Sequence, residues 1–166
     1  MNKNLRLNKP HNKGLLQNAY LGKLAQDLLY LSSDQVLQIY LQRGLLIPVE
    51  TSSTLAYLFE NPESSLSNIA VALEIPHQLA AQRVAKLIKL ELIDKRPDQH
   101  DGRRTVLELS ALGRQQAKLL NQCMEDMAIV YADLYREIEC DLPIKLQQAI
   151  EALKRKNLST RFAETF

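Results

Sequence analysis

Glycine is scarce in this chain, five of 166 residues, and the motifs that depend on it are missing. There is no glycine-rich phosphate loop and no nucleophile elbow, and no zinc-protease signature either, so the motif-marked enzyme classes have no foothold. Two cysteines, Cys123 and Cys140, cannot build a disulfide framework. Both fall within or at the end of one predicted helix, ~25 Å apart at ~1.5 Å per residue, so they cannot pair within the chain. Nothing obvious activates either thiol, so neither is expected to act as a redox switch. Long apolar runs are missing as well. Stretches such as Leu28 to Leu31 are far short of a membrane span. The first residues, MNKNLRLNKPHNKG, lack the apolar segment of a secretory signal. The expectation is a cytoplasmic protein with no membrane partner. Internal repeats and low-complexity segments are absent.

Charge of one sign is not in large excess. The net charge of +2 is too mild to imply a nucleic-acid partner by itself, and the distribution carries more information. Residues 1–26 hold Lys3, Arg6, Lys9, Lys13 and Lys23 and no acidic residue. Residues 82–104 hold Arg83, Lys86, Lys89, Lys95, Arg96, Arg103 and Arg104. Such runs are usually solvated surface, so their placement on elements has to decide. Hydrophobic residues make up 46% of the chain, which is enough for one good core.

The apolar spacing predicts a helix from about residue 15 to 42 through Leu16, Tyr20, Leu24, Leu28, Leu31 and Ile39, which Ser32, Ser33 and Asp34 can kink or divide. Gly44 is a stop signal. Ser52 or Ser53 can cap a short helix that ends before Pro62. A compact pair follows. LSNIAVAL, residues 66–73, puts Leu66, Ile69, Ala70 and Leu73 on one face. After Glu74-Ile75-Pro76 a second helix runs from His77 to about Leu90, with Ala80, Val84, Leu87 and Ile88 inward. Two short helices joined by a tight turn form a helix-turn-helix pattern. The period then changes. LIDKRP and RTVLELS read as strands, and Asp101-Gly102 marks a hairpin turn. Ser110 can cap the next helix, a long one with a stripe from Leu120 to Ile138. Asp141 and Pro143 open another, with Leu146, Ala149, Ile150 and Leu153 on its apolar face. The fold class is therefore mainly α with a small β-hairpin wing. Four segments are expected: a basic flexible arm (1–14), an N-terminal dimerisation segment (15–48), a winged helix-turn-helix domain (49–110) and C-terminal dimerisation helices (111–166).

The order helix-turn-helix, wing, long helix resembles the MarR family of bacterial regulators. The most specific part is PDQHDGRRTVLELSALGR, in which Asp101, Arg103, Leu109, Ser110, Gly113 and Arg114 match the family pattern. His77 and Gln82 also match a pattern at the start of the second helix in one branch of the family. Family members often carry glycine in the helix-turn-helix turn and before the first wing strand, where this chain has Glu74 and Glu91. If those sites require a left-handed backbone, each glutamate costs on the order of 1 kcal/mol, and remodelled turns are the alternative. The resemblance implies a homodimeric transcriptional regulator, a repressor released by a small aromatic or amphipathic effector bound between the dimerisation helices and the winged helix. Tyr20, Tyr57, Phe59, Met124 and Tyr131 are candidates for that pocket, although ordinary core is the favoured role for most of them.

The second helix carries its own chemistry. Gln78, Ala81, Gln82, Ala85 and Lys89 fall on one side, opposite the core face. Glutamine can make paired hydrogen bonds to an adenine edge in the major groove, and alanine permits close approach to thymine methyls. Arg83, Lys86 and Lys89 flank that face within reach of phosphates, and His77 either meets a phosphate or caps the helix. On the wing, Arg103 is the expected minor-groove reader with Asp101 holding it, while Lys95 and Arg104 face the DNA backbone. The partner is double-stranded DNA with a pseudo-palindromic operator. Asp98, His100 and Asp101 lack a fourth ligand, so no metal is expected. No cofactor and no enzymatic activity are expected. The competing reading is a winged-helix protein-interaction module that does not read DNA.

Overall fold

A computed structural model describes residues 20–97 and 105–166. The basic arm, Leu16, the loop residues Asp98 and His100, and the wing-tip residues Asp101, Arg103 and Arg104 lie outside the described residues. The elements run α1 (Leu21–Gln42), a 3-10 helix (Val49–Thr51), α2 (Ser52–Glu60), α3 (Leu66–Ala72), α4 (His77–Lys89), β1 (Ile93–Pro97), β2 (Thr105–Leu109), α5 (Ala111–Glu137), α6 (Leu142–Arg155) and α7 (Leu158–Thr165). They divide into two compact units, residues 1–120 and 121–166, with the boundary inside α5. This is a mainly α protein with a two-stranded wing. Among the described residues, no helix is long and apolar enough to cross a membrane.

The first unit has a single apolar core. Leu55, Leu58, Ile69, Ala80, Leu87 and Leu92 are almost fully buried. Tyr40 joins them from α1, its hydroxyl 2.8 Å from Ser52 Oγ. α1 runs unbroken through Ser32–Asp34, so that segment does not divide it. Neither serine caps α2. The 3-10 helix leads straight into it, and Ser52 Oγ instead donates to the Val49 carbonyl at 2.7 Å. At α3, by contrast, a capping box closes the N-terminus. Asn68 N–H donates to Ser65 Oγ at 3.2 Å, and Ser65 N–H donates to Asn68 Oδ1 at 3.0 Å.

Four helix ends share one solution. After α1, α3, α4 and α5 the next-but-one residue is left-handed, and the amide beyond it reaches back five residues, as Leu92 N–H does to the Leu87 carbonyl at 2.9 Å. The left-handed residue is Gly44 (φ 72) after α1, but Glu74 (φ 50), Glu91 (φ 58) and Glu139 (φ 51) after the others. The turns at Glu74 and Glu91 are thus not remodelled. The glutamates accept the conformation that glycine adopts without cost.

The wing pairs Ile93 with Leu109 through Pro97 with Thr105, antiparallel. Ser64, just before α3, adds an isolated bridge to Leu107, whose amide donates to the Ser64 carbonyl at 2.8 Å. The hairpin passes into α5 through a dense joint. Ser110 N–H donates to the Leu92 carbonyl at 3.0 Å, Ser110 Oγ donates to the Glu91 carbonyl at 2.7 Å, and Gly113 N–H donates to Ser110 Oγ at 2.9 Å. A Cβ on Gly113 would lie 2.0 Å from the Leu92 carbonyl oxygen. One turn later, buried Gln116 accepts from Leu46 N–H at 2.7 Å and donates to the Gly44 carbonyl at 3.2 Å. This ties the start of α5 to the loop after α1.

In the second unit, Asp141 caps α6 and Asn157 caps α7 through their side-chain oxygens. Neither helix buries a residue. The last helix has a sequence signal, Asn157 followed by a short amphipathic stretch, that the periodicity reading did not resolve. Cys123 is buried and Cys140 half-buried, and neither forms a disulfide.

The joint makes two opposite predictions. Gly113→Ala must displace backbone, and is expected to destabilise the protein by about 1–3 kcal/mol. Glu91→Gly relieves the left-handed position, and is expected to stabilise it by about 1 kcal/mol, a rise of about 2–4 °C in melting temperature. Urea and thermal unfolding monitored by circular dichroism check both. An unchanged Gly113→Ala midpoint would refute the close approach.

Candidate nucleic-acid interface

Helix α4 is fixed from behind and closed at its C-terminal end. Ala80, Val84 and Leu87 are buried at spacings that place them on one side. Pro76 enters in an extended conformation and no side chain caps the first turn, so His77 is exposed and does not serve as a cap. At the other end Glu91 and Leu92 turn the chain into the wing.

The opposite face is open. Gln78, Gln82, Ala85 and Lys89 are exposed and Ala81 is half-buried. Together they offer two amide groups, two methyls and one ammonium on a convex surface. A helix face of this composition can enter a groove closely and still hydrogen-bond there. Ile88, expected inward, is only half-buried at the margin between the two faces.

Two of the flanking cations have partners within the protein. Lys86 Nζ donates to Glu50 Oε1 at 2.6 Å, and Arg83 Nη1 donates to Ser53 Oγ at 3.3 Å. Both acceptors lie at the start of α2 and on the 3-10 helix before it, a segment packed against α4. The hydrogen bond from Lys86 lowers the Glu50 carboxyl below its ordinary value, outweighing partial burial, and the Lys86 and Arg83 charges lower it further. Glu50 and Ser53 went unnoticed in the sequence because each lies more than one element away from its cation.

On the wing, Lys95 is exposed on β1. Its neighbour Arg96 is not free. It pairs with Glu63 and, at 3.0 Å, with Glu108 on the adjacent strand, and Arg114 approaches Glu108 at 4.0 Å. This network braces the base of the hairpin and leaves Lys95 as the described wing cation facing solvent.

The aromatic candidates for a ligand pocket do not belong to the buried core. Tyr20 is 58% exposed and Met124 39%. Tyr57 and Phe59 are half-buried, as is Tyr131, whose ring stacks on Tyr135 at 6.0 Å between centroids. Ordinary core is therefore not their role. A cleft of about 290 Å³ lies between α1 and the 3-10 segment, lined by Ser33, Asp34, Leu37, Pro48, Val49 and Glu50, and includes none of the five. Among the described residues, no three His, Cys, Asp or Glu side chains converge to hold a metal ion.

Residues 47–104 match the model of the MarR family. No curated protein matches the sequence. Among solved structures, the chain is similar to a MarR family transcription regulator at 16% identity and a TM-score of 0.62, over 84% of this chain and 91% of that one. It is similar to the adhesin competence repressor AdcR of Streptococcus pyogenes at 18% identity and 0.58, over 87% and 98%. A complex of S. aureus MepR with DNA gives 21% identity and 0.61, over 81% and 97%. At these identities the structural likeness is one of fold. The MarR family model thus matches the winged-helix segment itself, and the chain shares the fold of MarR family transcription regulators.

Proposed function

We propose that the protein regulates transcription by reading DNA in a sequence-specific manner as a homodimer. We further propose that it acts as a repressor on a pseudo-palindromic operator and that a small aromatic or amphipathic effector releases it. One observation carries the reading of DNA. α4 keeps a face of Gln78, Ala81, Gln82, Ala85 and Lys89 at the surface, while its opposite face is locked into the core. The similarity in fold to MepR, solved bound to DNA, supports it. Gln78 and Gln82 are the base-reading side chains, with Arg83, Lys86, Lys89 and His77 near phosphates. Arg103, aided by Asp101, is the minor-groove contact of the wing, with Lys95 and Arg104 on the backbone. This reading assigns no catalytic step and locates the protein in the cytoplasm, with its DNA.

Apolar surface supports the dimer. On α1, Leu21, Leu24, Leu28 and Leu31 are 41–61% exposed. On α6 and α7, Leu146, Ile150, Leu153, Leu158 and Phe162 are exposed too. Short helices that bury no face are marginal in water, so these faces call for a partner. A second copy supplies it and presents two α4 helices to half-sites about one helical turn, ~10 bp, apart. Sedimentation at micromolar concentration should give a dimer. A monomer alone would refute the assembly, and Leu16, Tyr20, Leu24, Leu146, Ile150 and Leu153 would lose their role around a two-fold axis.

The reading itself is tested by selecting preferred duplexes from a random pool with the purified protein and measuring binding by fluorescence anisotropy. Gln82→Ala should cost about 1–3 kcal/mol at the preferred base and relax preference there. Arg103→Ala should weaken binding broadly and flatten the log–log salt slope by about 0.9 per wing. If Gln82→Ala leaves affinity and preference unchanged, α4 is not the reading helix. If Arg103→Ala also changes nothing, a protein-interaction role takes precedence.

A further inference from the structure

The cations beside the reading face are committed to the protein's own surface. Lys86 lies at the edge of that face, one helical turn after Gln82, and is half-exposed, yet its ammonium is 2.6 Å from Glu50. Arg83, one turn before Lys86, turns to Ser53 on the same segment, and its charge also bears on the Glu50 carboxylate. Glu50 itself is half-exposed on the 3-10 helix that packs against α4. A phosphate approaching this flank therefore meets an ion pair closed within the protein.

We propose that Glu50 is an electrostatic brake on DNA affinity: it holds Lys86 in a closed ion pair and must yield it before that lysine can contact a phosphate. The proposal rests on the DNA-binding reading and adds a residue to it that makes no contact with bases. Phosphate contacts by lysine supply the sequence-independent part of affinity and its salt dependence. A carboxylate that neutralises one such lysine lowers this part on every sequence alike, without touching the readout by Gln78 and Gln82. The competition is close to balanced. A half-exposed ion pair is weak, so the phosphate can win, and the brake scales affinity without blocking binding. Glu50 also lines the small cleft beside α1. The carboxylate that holds Lys86 is thus itself accessible to solutes.

The test uses the full-length chain and a random-sequence duplex, so no operator is needed. Wild type, Glu50→Gln, Lys86→Gln and the double variant are compared by anisotropy across a salt titration. Both side chains are half-exposed, so all forms should melt alike by circular dichroism. Glu50→Gln is expected to bind about three- to tenfold tighter, with a log–log salt slope steeper by about 0.9 per protomer. Adding Lys86→Gln should abolish both gains, because they act through Lys86. Tighter binding that persists in the double variant would overturn the brake in favour of simple repulsion between Glu50 and DNA. Unchanged or weaker binding by Glu50→Gln would also overturn it, the weaker case meaning that Glu50 positions Lys86 for contact. If wild type and every variant fail to bind any duplex in a salt-dependent way, the DNA-binding reading fails first and the brake falls with it.

Discussion

The carbonyl of Leu92 is where three parts of the winged helix meet. It accepts from Ser110 N–H at 3.0 Å, lies against Gly113 at a distance no Cβ allows, and belongs to the residue whose own amide closes the end of α4 on Leu87. α4, the wing and α5 are thereby fixed to one another through backbone atoms. Side chains contribute afterwards. Leu92 is fully buried beside Leu87, and Ser110 supplies a cap that also holds the Glu91 carbonyl. The family pattern Leu-Ser-x-x-Gly-Arg therefore has a physical reading. Leucine fills the core, serine caps α5 and binds back across the joint, and glycine makes room for the Leu92 carbonyl. Arginine donates to the Leu109 carbonyl at 2.5 Å.

The helix ends carry a cost that the rest of the fold absorbs. At three of these helix ends the left-handed position is a glutamate, and each sacrifices on the order of 1 kcal/mol relative to glycine. The backbone geometry survives because it is over-determined. At Glu74 and Glu91 the amides on either side are bound to the preceding helix, and the next residue begins a segment with fixed partners. Tertiary closure outweighs local preference by a margin large enough to keep the turn while the side chain changes.

Charge is distributed in the same economical manner along α4. The central face offers amides and methyls, while the flanking Arg83 and Lys86 are held by Ser53 and Glu50. Arg96 is drawn into the Glu63–Glu108 network that stiffens the hairpin base. Cations that looked alike in the sequence, Arg83, Lys86, Lys89, Lys95 and Arg96, thus divide into braced and open ones. Lys89 and Lys95 remain exposed.

Much of the architecture was legible in the chain. The 3.6-residue period located α1, α3, α4 and α5, the change to a two-residue period with Asp101-Gly102 located the hairpin, and Ser110, Gly44 and Asp141 marked their helix ends. These are local signals, because propensity, capping and alternation act within a turn or a strand, and so a sequence determines them by itself. Other features depend on groups brought together from far along the chain. Lys86 meets Glu50 across 36 residues, Gln116 meets Leu46 across 70, and Ser64 bridges to Leu107. No periodicity encodes such pairs. Ordinary core was the favoured reading for most of the aromatic candidates, yet packing leaves Tyr20 exposed and Tyr131 half-buried. That Glu74 and Glu91 keep a left-handed backbone was undecided locally, since a glutamate admits either conformation and its own preference runs the other way. Only the closed joint around Leu92 and the turn into α4, with their amides already committed, had the energy to settle it.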